Sequence, residues 1–207
     1  MCGRFTQTLT AGDWRRLLKT HVPDGVRPSY NISPTQQVLT FDGQARMQTW
    51  SFLPAWAQKT SGDGSRAMRP VINARIETAA EKPYFRGAWK NGRVVIPATG
   101  FIEWQKRSSG KHPHHITLSG GEPFGFAGLR DGDGVAILTT EPNELMATIH
   151  DRMPVLLRPN AFGGWIDGAD WSQTASDELT ATEIGTEVNS PANNNPELLQ
   201  PVAGPAD

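Results

Sequence analysis

Arg93-Val-Val-Ile96, Phe101-Ile-Glu-Trp-Gln-Lys106, His115-Ile-Thr-Leu118, Phe124-Gly-Phe-Ala-Gly-Leu129 and Val135-Ala-Ile-Leu-Thr139 follow one another within residues 93–139. Each run is short and rich in β-branched or aromatic residues. Between them lie Pro97 to Gly100, Ser108-Ser-Gly110, Ser119-Gly-Gly-Glu-Pro123 and Asp131-Gly-Asp-Gly134, all turn-forming sequences. Runs of that length at that spacing predict strands joined by tight reversals, as in an antiparallel sheet or barrel.

Working outward, Val38–Phe41 and Met47–Phe52 predict two more strands around a turn at Asp42-Gly43. Residues 2–8 read as a short extended segment. Thr10-Ala-Gly-Asp13 has the form of a capping box entering a helix, with Trp14, Leu17, Leu18 and His21 on one face. Pro23 to Pro34 reads as a loop, and residues 58–69, polar and Gly-rich, as a mobile surface loop. Glu77–Trp89 predicts helix, broken or restarted at Pro83. Asn143–Ile149 predicts a short helix, and Pro159 opens another running to Trp165. From Pro191 onward the chain is polar and Pro-rich and is expected to hug the surface or fray. Strands and helices do not alternate regularly, which argues for an α+β fold with a mostly antiparallel core.

The chain has 207 residues, enough for one domain with a real core. The formal charge of -1 excludes a global field that would draw the protein to nucleic acid, so any such binding needs a local basic surface. A single cysteine excludes an internal disulfide and a cysteine-based zinc site. No apolar run is long enough to span a membrane, and Met1-Cys2-Gly3-Arg4 lacks the apolar stretch of a secretory leader. A cytoplasmic protein fits.

That one cysteine is Cys2. A small second residue permits loss of Met1, which would leave an amine and a thiol on adjacent carbons. The amine condenses with an aldehyde to an imine, and the thiol then closes a five-membered thiazolidine. An α-amine titrates near roughly 7.7–8.0, against about 10.4 for lysine, so it is usefully neutral at physiological pH. On position alone, an inert buried cysteine is the competing reading.

Three further clusters bear on this. In Val71-Ile72-Asn73-Ala74-Arg75 an apolar pair runs into a polar triplet, as where a strand emerges at a cleft or simply ends in a surface ion pair. Asn73 both donates and accepts hydrogen bonds, and Arg75 has the fork geometry of a phosphate clamp. In Pro97-Ala98-Thr99-Gly100-Phe101-Ile102-Glu103-Trp104, strict alternation puts Glu103 on the face of Phe101. There it is either an edge-strand carboxylate or a pocket acid with a raised pKa. In Thr148-Ile149-His150-Asp151-Arg152-Met153-Pro154, His150 is a candidate proton carrier, and Arg152 pairs either with Asp151 or with a phosphate. His112-Pro113-His114-His115 invites a metal reading, but adjacent His114 and His115 point to opposite faces of a strand and no carboxylate cluster is near in sequence, so no metal is expected.

Taken together these pieces resemble the SOS-response-associated peptidase (SRAP) family, the abasic-site processing proteins. The likeness runs through nearly the whole chain. It rests on Met1-Cys2-Gly3-Arg4-Phe5, Tyr30-Asn31-Ile32-Ser33-Pro34, Trp50 with Pro54-Ala55-Trp56, and Asn73-Ala74-Arg75 with Glu77-Thr78-Ala79. It continues in Gly100-Phe101-Ile102-Glu103-Trp104, Ile149-His150-Asp151-Arg152-Met153-Pro154, and Val188-Asn189 with Pro196-Glu197-Leu198. Ser51 stands where the family usually has glycine, and Arg130 where a tryptophan is common. Neither falls among the implied catalytic residues. Ser51 is expected to tighten a turn and Arg130 to add a surface charge.

The resemblance implies a single domain over residues 1–200 with a short tail at 201–207, built as a barrel-like antiparallel β core with flanking helices. It implies that Cys2, exposed by autocatalytic loss of Met1, links covalently to the ring-opened sugar of an abasic site in single-stranded DNA. Asn73 would hold the sugar or the amine, Glu103 would shuttle protons, and His150 would act as acid/base. Arg4, Arg75 and Arg152 would meet phosphates, and Asn31, Pro34 and Trp56 would line the strand path. No cofactor, no metal and no membrane are implied; the protein would be a monomer, drawn to the nucleoid when engaged on DNA. Two alternatives stand beside it: an N-terminal-nucleophile glutamine amidohydrolase, whose chains also begin Cys-Gly after Met loss, and a non-covalent single-strand binding module.

Overall fold

A computed structural model describes residues 2–57, 68–169 and 178–202 of the chain. Most of the predicted mobile loop at 58–69 lies outside these residues. The elements are β1 (Phe5–Gln7), α1 (Ala11–Leu18), β2 (Ser29–Ile32), β3 (Gln37–Phe41), β4 (Ala45–Thr49), β5 (Asn73–Arg75), α2 (Ile76–Ala79) and α3 (Pro83–Asn91). They continue with β6 (Arg93–Ala98), β7 (Gly100–Arg107), β8 (Gly110–Leu118), β9 (Phe124–Asp131), β10 (Gly134–Thr140), α4 (Glu144–Ala147), β11 (Met153–Pro154), β12 (Leu156–Leu157), α5 (Phe162–Ile166) and β13 (Leu179–Glu183). The five strands expected in 93–139 are β6 to β10, and the hairpin around Asp42-Gly43 is β3–β4.

Strand pairing closes a ring. β10 pairs with β4, β4 with β3, β3 with β6, β6 with β9, and β9 returns to β10. This five-stranded barrel leaves no open edge along its circuit. A second sheet, in the order β13-β8-β7-β1-β2, is antiparallel throughout. The barrel itself is mixed, because β10 runs parallel to both β4 and β5. At the β4–β10 closure, Gly134 sits opposite Thr49, and a Cβ there would lie 2.5 Å from the Ser51 carbonyl oxygen. Only glycine allows the two backbones to come that close.

Alternation along the barrel strands sends their side chains to two apolar clusters. Leu39, Val95, Ala127, Leu129, Ala136 and Leu138 pack with Trp14, Phe85, Phe162 and Trp165 of the helices. Val38, Val94, Ile96, Phe126, Val135 and Ile137 face the other way and pack with Phe5, Phe101 and Cys2. Phe5 meets Trp50 and Phe126 edge-on, at centroid separations of 5.0 and 5.4 Å. Burying such a ring contributes about 1.5–3 kcal/mol, and the edge-to-face contacts add to that. The strand that carries Cys2 into the site is therefore fixed by its aromatic anchor.

The capping box forms as read: Thr10 caps α1, and Asp13 reaches back to it. The helix stops at Leu18 because Lys19 turns left-handed, so His21 leaves the apolar face and is exposed. Pro23 to Pro34 is not all loop, since β2 lies within it. β2 meets β1 through only two register pairs with an irregularity between them. β13, absent from the sequence reading, pairs with β8 over Leu179–Glu183. Of the segment from Pro191 to Val202, Leu198 is buried in a short 3-10 turn at Pro196–Leu199 and hugs the body.

Candidate active site

The site is built where β1 gives way to the N-terminal residues beside β7. Register places Phe5 opposite Phe101, and the Ile102 amide donates to the Arg4 carbonyl at 2.9 Å. Cys2 is fully buried, and its thiol points to the Arg4 carbonyl oxygen at 3.7 Å. Burial, and then the negative charge of Glu103, push the thiol pKa well above its ordinary value.

Asn73 begins β5. Its position follows from the parallel pairing with β10, where it lies opposite Ile137. Its side-chain amide donates to the Cys2 carbonyl at 2.8 Å. Its Oδ1 is buried without a hydrogen-bond partner among the described residues. A buried acceptor left in this state is unfavourable unless a donor arrives.

Glu103 lies on β7, only 2% exposed. Burial foremost, with the charge of Asp151 adding to it, raises its pKa to about 7. The edge-strand reading of Glu103 is therefore set aside in favour of the pocket. His150 follows α4, and its amide donates to the Met146 carbonyl at 2.8 Å. Its Nδ1 accepts the Arg152 amide at 3.0 Å and also lies 2.9 Å from Asp151. Burial holds the imidazole below its usual pKa against the pull of Asp151.

Glu103 and His150 line one cavity of about 790 Å³, together with Trp104, Lys106, Lys111, Ile149, Asp151 and Asn189. Trp104 Nε1 donates to Asn189 Oδ1 at 2.8 Å, which ties the wall to the 3-10 turn at Thr186–Asn189. Cys2, fully buried, is not part of this wall.

The residues expected to meet DNA divide into two groups. Arg4 is buried, and its Nη1 donates to Asn31 Oδ1 at 2.6 Å and to the Val188 carbonyl at 2.8 Å. Asn31 is 1% exposed and shares its amide protons among the carbonyls of Val188, Ser190 and Asn193. Arg152 is also buried, with Nη2 on Glu77 and on the Thr139 carbonyl. Arg4 and Arg152, expected at phosphates, and Asn31, expected along the strand path, thus all hold internal hydrogen bonds in this structure. Arg75 and Trp56, by contrast, are exposed, and Pro34 is half-buried. Trp56 stands edge-on to Tyr84 with the rings 6.4 Å apart. Arg130, partly exposed, pairs with Asp42 at 2.9 Å.

Sequence reasoning gave no role to Glu77, Lys106, Lys111 or Asn189, although Glu77 and Asn189 stand in the motifs that carry the resemblance. Glu77 stands four residues after Asn73 in a quoted motif, but its partner Arg152 is 75 positions away. The His112-Pro113-His114-His115 run packs on Glu183, with His112 Nδ1 2.7 Å from the carboxylate. Among the described residues no cluster of His, Cys, Asp and Glu has the form of a metal site.

The SOS response associated peptidase (SRAP) family model matches residues 1–191. The chain belongs to this SRAP family. Among its relatives, the abasic site processing protein YoqW of Bacillus subtilis is 36% identical, over 97% of this chain and 99% of that one. Abasic site processing protein YedK of Escherichia coli is 30% identical over 98% and 100%. HMCES of Xenopus tropicalis, also named an abasic site processing protein, is 26% identical over 96% of this chain and 78% of its own. The SRAP fold seen here is shared with a crystal structure of a Bacteroides thetaiotaomicron protein, at a TM-score of 0.83, 20% identity and coverage of 98% and 100%.

Proposed function

We propose that this SRAP protein processes abasic sites in single-stranded DNA by covalent capture on Cys2. The observation that carries the reading is the Asn73 amide on the Cys2 carbonyl, beside a carboxyl and an imidazole that share one cavity wall. The wall supplies two proton carriers suited to neutral pH, and Asn73 fixes the backbone of the nucleophile.

The aminothiol exists only once the Met1–Cys2 peptide bond is hydrolysed, with water consumed and methionine released. The Cys2 amine then adds to the sugar aldehyde. Glu103, in its acid form, donates a proton as water leaves and an imine forms. The Cys2 sulfur next adds to the imine carbon, and its proton ends on the nitrogen, which closes the thiazolidine. His150 serves as hydrogen-bond donor and proton carrier toward the opened sugar. An imine left open exposes the strand to β-elimination, and ring closure removes that path. Trp56 offers a stacking face and Arg75 a cation along the strand.

The test is a denaturing gel of the purified protein with single-stranded DNA carrying one abasic site, beside Cys2→Ala and an undamaged oligonucleotide. A heat-stable shifted band is expected only with the wild type and the lesion. No band from protein whose mass shows loss of Met1 would overturn the proposal, and glutamine hydrolysis would then be assayed. DNA retention by Cys2→Ala that equals the wild type under denaturing conditions would also overturn it.

A further inference from the structure

On the β7–β8 hairpin, register places Lys106 directly opposite Lys111. Like charges facing each other across an antiparallel pair destabilise it. The neighbouring positions avoid this: Arg107 lies opposite Gly110, and its guanidinium bonds Glu183 at 2.9 Å. Both lysines line the same cavity as Glu103 and His150. Neither ammonium has an ion-pair or hydrogen-bond partner among the described residues, whereas Arg4 and Arg152 are committed to internal partners. The cavity wall otherwise carries the Glu103 carboxyl and the Asp151 carboxylate, so an incoming anion is steered toward the lysine end.

We infer that Lys106 and Lys111 form a phosphate subsite that holds the sugar-phosphate backbone next to the reacting sugar. This rests on the proposed DNA reading and deepens it. It adds a phosphate contact at a lysine pair whose mutual repulsion is relieved when an anion lies between them. Two flexible ammonium groups suit a backbone that threads past without base readout. The subsite has few contacts, in keeping with a chain whose net charge is -1.

The experiment measures equilibrium binding to a single-stranded oligonucleotide with one tetrahydrofuran site, which has no aldehyde and cannot be cross-linked. Affinity is followed from 50 to 300 mM salt for the wild type, K106Q/K111Q, K106R/K111R and, as a remote control, K19Q/K90Q. Each phosphate contact on a single strand contributes about 0.7 to the log–log salt slope. The glutamine pair is expected to lower the slope by about 1.4 and to weaken binding at least tenfold at the lowest salt. The arginine pair should restore the slope, and the remote pair should match the wild type. A slope unchanged by K106Q/K111Q, or lowered equally by K19Q/K90Q, overturns the subsite. Because the probe has no aldehyde, these outcomes do not depend on covalent capture. Absence of the covalent band with an aldehyde-bearing strand would instead sink the proposed function.

Discussion

The Arg152 guanidinium lies 2.8 Å from the Glu77 carboxylate. Glu77 is in the first turn of α2, directly after the strand that presents Asn73, while the Arg152 amide holds His150 Nδ1. One ion pair thus joins the two segments that carry Asn73 and His150. The pair also reaches the Thr139 carbonyl, so Arg152 is held from two sides.

Glu77→Gln is expected to slow cross-linking several-fold and to lower stability by about 1–2 kcal/mol, a partly exposed pair being worth less than a buried one. Burial raises the Glu77 pKa, but the Arg152 hydrogen bond and charge outweigh it, and the net shift is downward. A depressed carboxylate stabilises the fold above its ordinary range and loses that contribution as pH falls through its folded value. The Tm gap between wild type and Glu77→Gln should therefore be full at pH 7 and close in acid. A gap that stays constant down to pH 2 would contradict the ion-pair account.

Glu103 behaves in the opposite sense. Its folded pKa of about 7 exceeds the ordinary value of 4.5, so its stabilising contribution is complete below 4.5 and is lost as pH rises through 7. Glu103→Gln should raise Tm relative to wild type at pH 8, by at most about 3 kcal/mol of stability, and leave it unchanged at pH 4. The same substitution should lower the single-turnover cross-linking rate about 10²-fold or more. It should also flatten the rate profile between pH 6 and 8. Thermal melts at the two pH values, with rates on the same samples, check both halves.

Asn73→Ala removes the hydrogen bond to the Cys2 carbonyl. Cross-linking should fall by at least tenfold, with the melting curve shifted by less than for a core substitution, since the lost bond is worth about 1 kcal/mol. Asn73→Asp keeps the size but replaces the donor with a second acceptor, and should be no better than alanine. Recovery of activity in the aspartate variant would assign the role to Oδ1 rather than to the amide.

Asn31→Ala leaves the carbonyls of Val188, Ser190 and Asn193 without their shared donor. Amide exchange in residues 186–200 should accelerate, with a stability cost of about 1–3 kcal/mol. Protection in that segment unchanged from wild type would remove the bracing role.

The barrel strands were readable because glycine-rich turns punctuate them and β-branched residues fill them. β2 escaped because it pairs irregularly beside prolines, and β13 because Leu179-Thr-Ala-Thr-Glu183 alternates too weakly to stand out. The parallel seat of β5 on β10 depends on strands more than sixty residues apart. At the site, Cys2, Asn73, Glu103 and His150 were nameable from the resemblance, and the structure brings the Asn73 amide to Cys2 and sets Glu103 and His150 on one wall. The internal partners of Arg4 and Arg152 were not legible. Whether Arg4 meets a phosphate or a carbonyl depends on Val188, and no local pattern near Arg4 encodes that distant partner. The Lys106–Lys111 facing is likewise invisible until strand register is known.

The clamp of Arg4 on Val188 has a consequence for biogenesis. Residue 4 leaves the ribosome early, yet its guanidinium has no native seat until the chain through Val188 has emerged. The arrangement around Cys2 therefore matures only after nearly two hundred residues have been joined. A nascent chain therefore holds Cys2 in unassembled surroundings until Val188 has emerged.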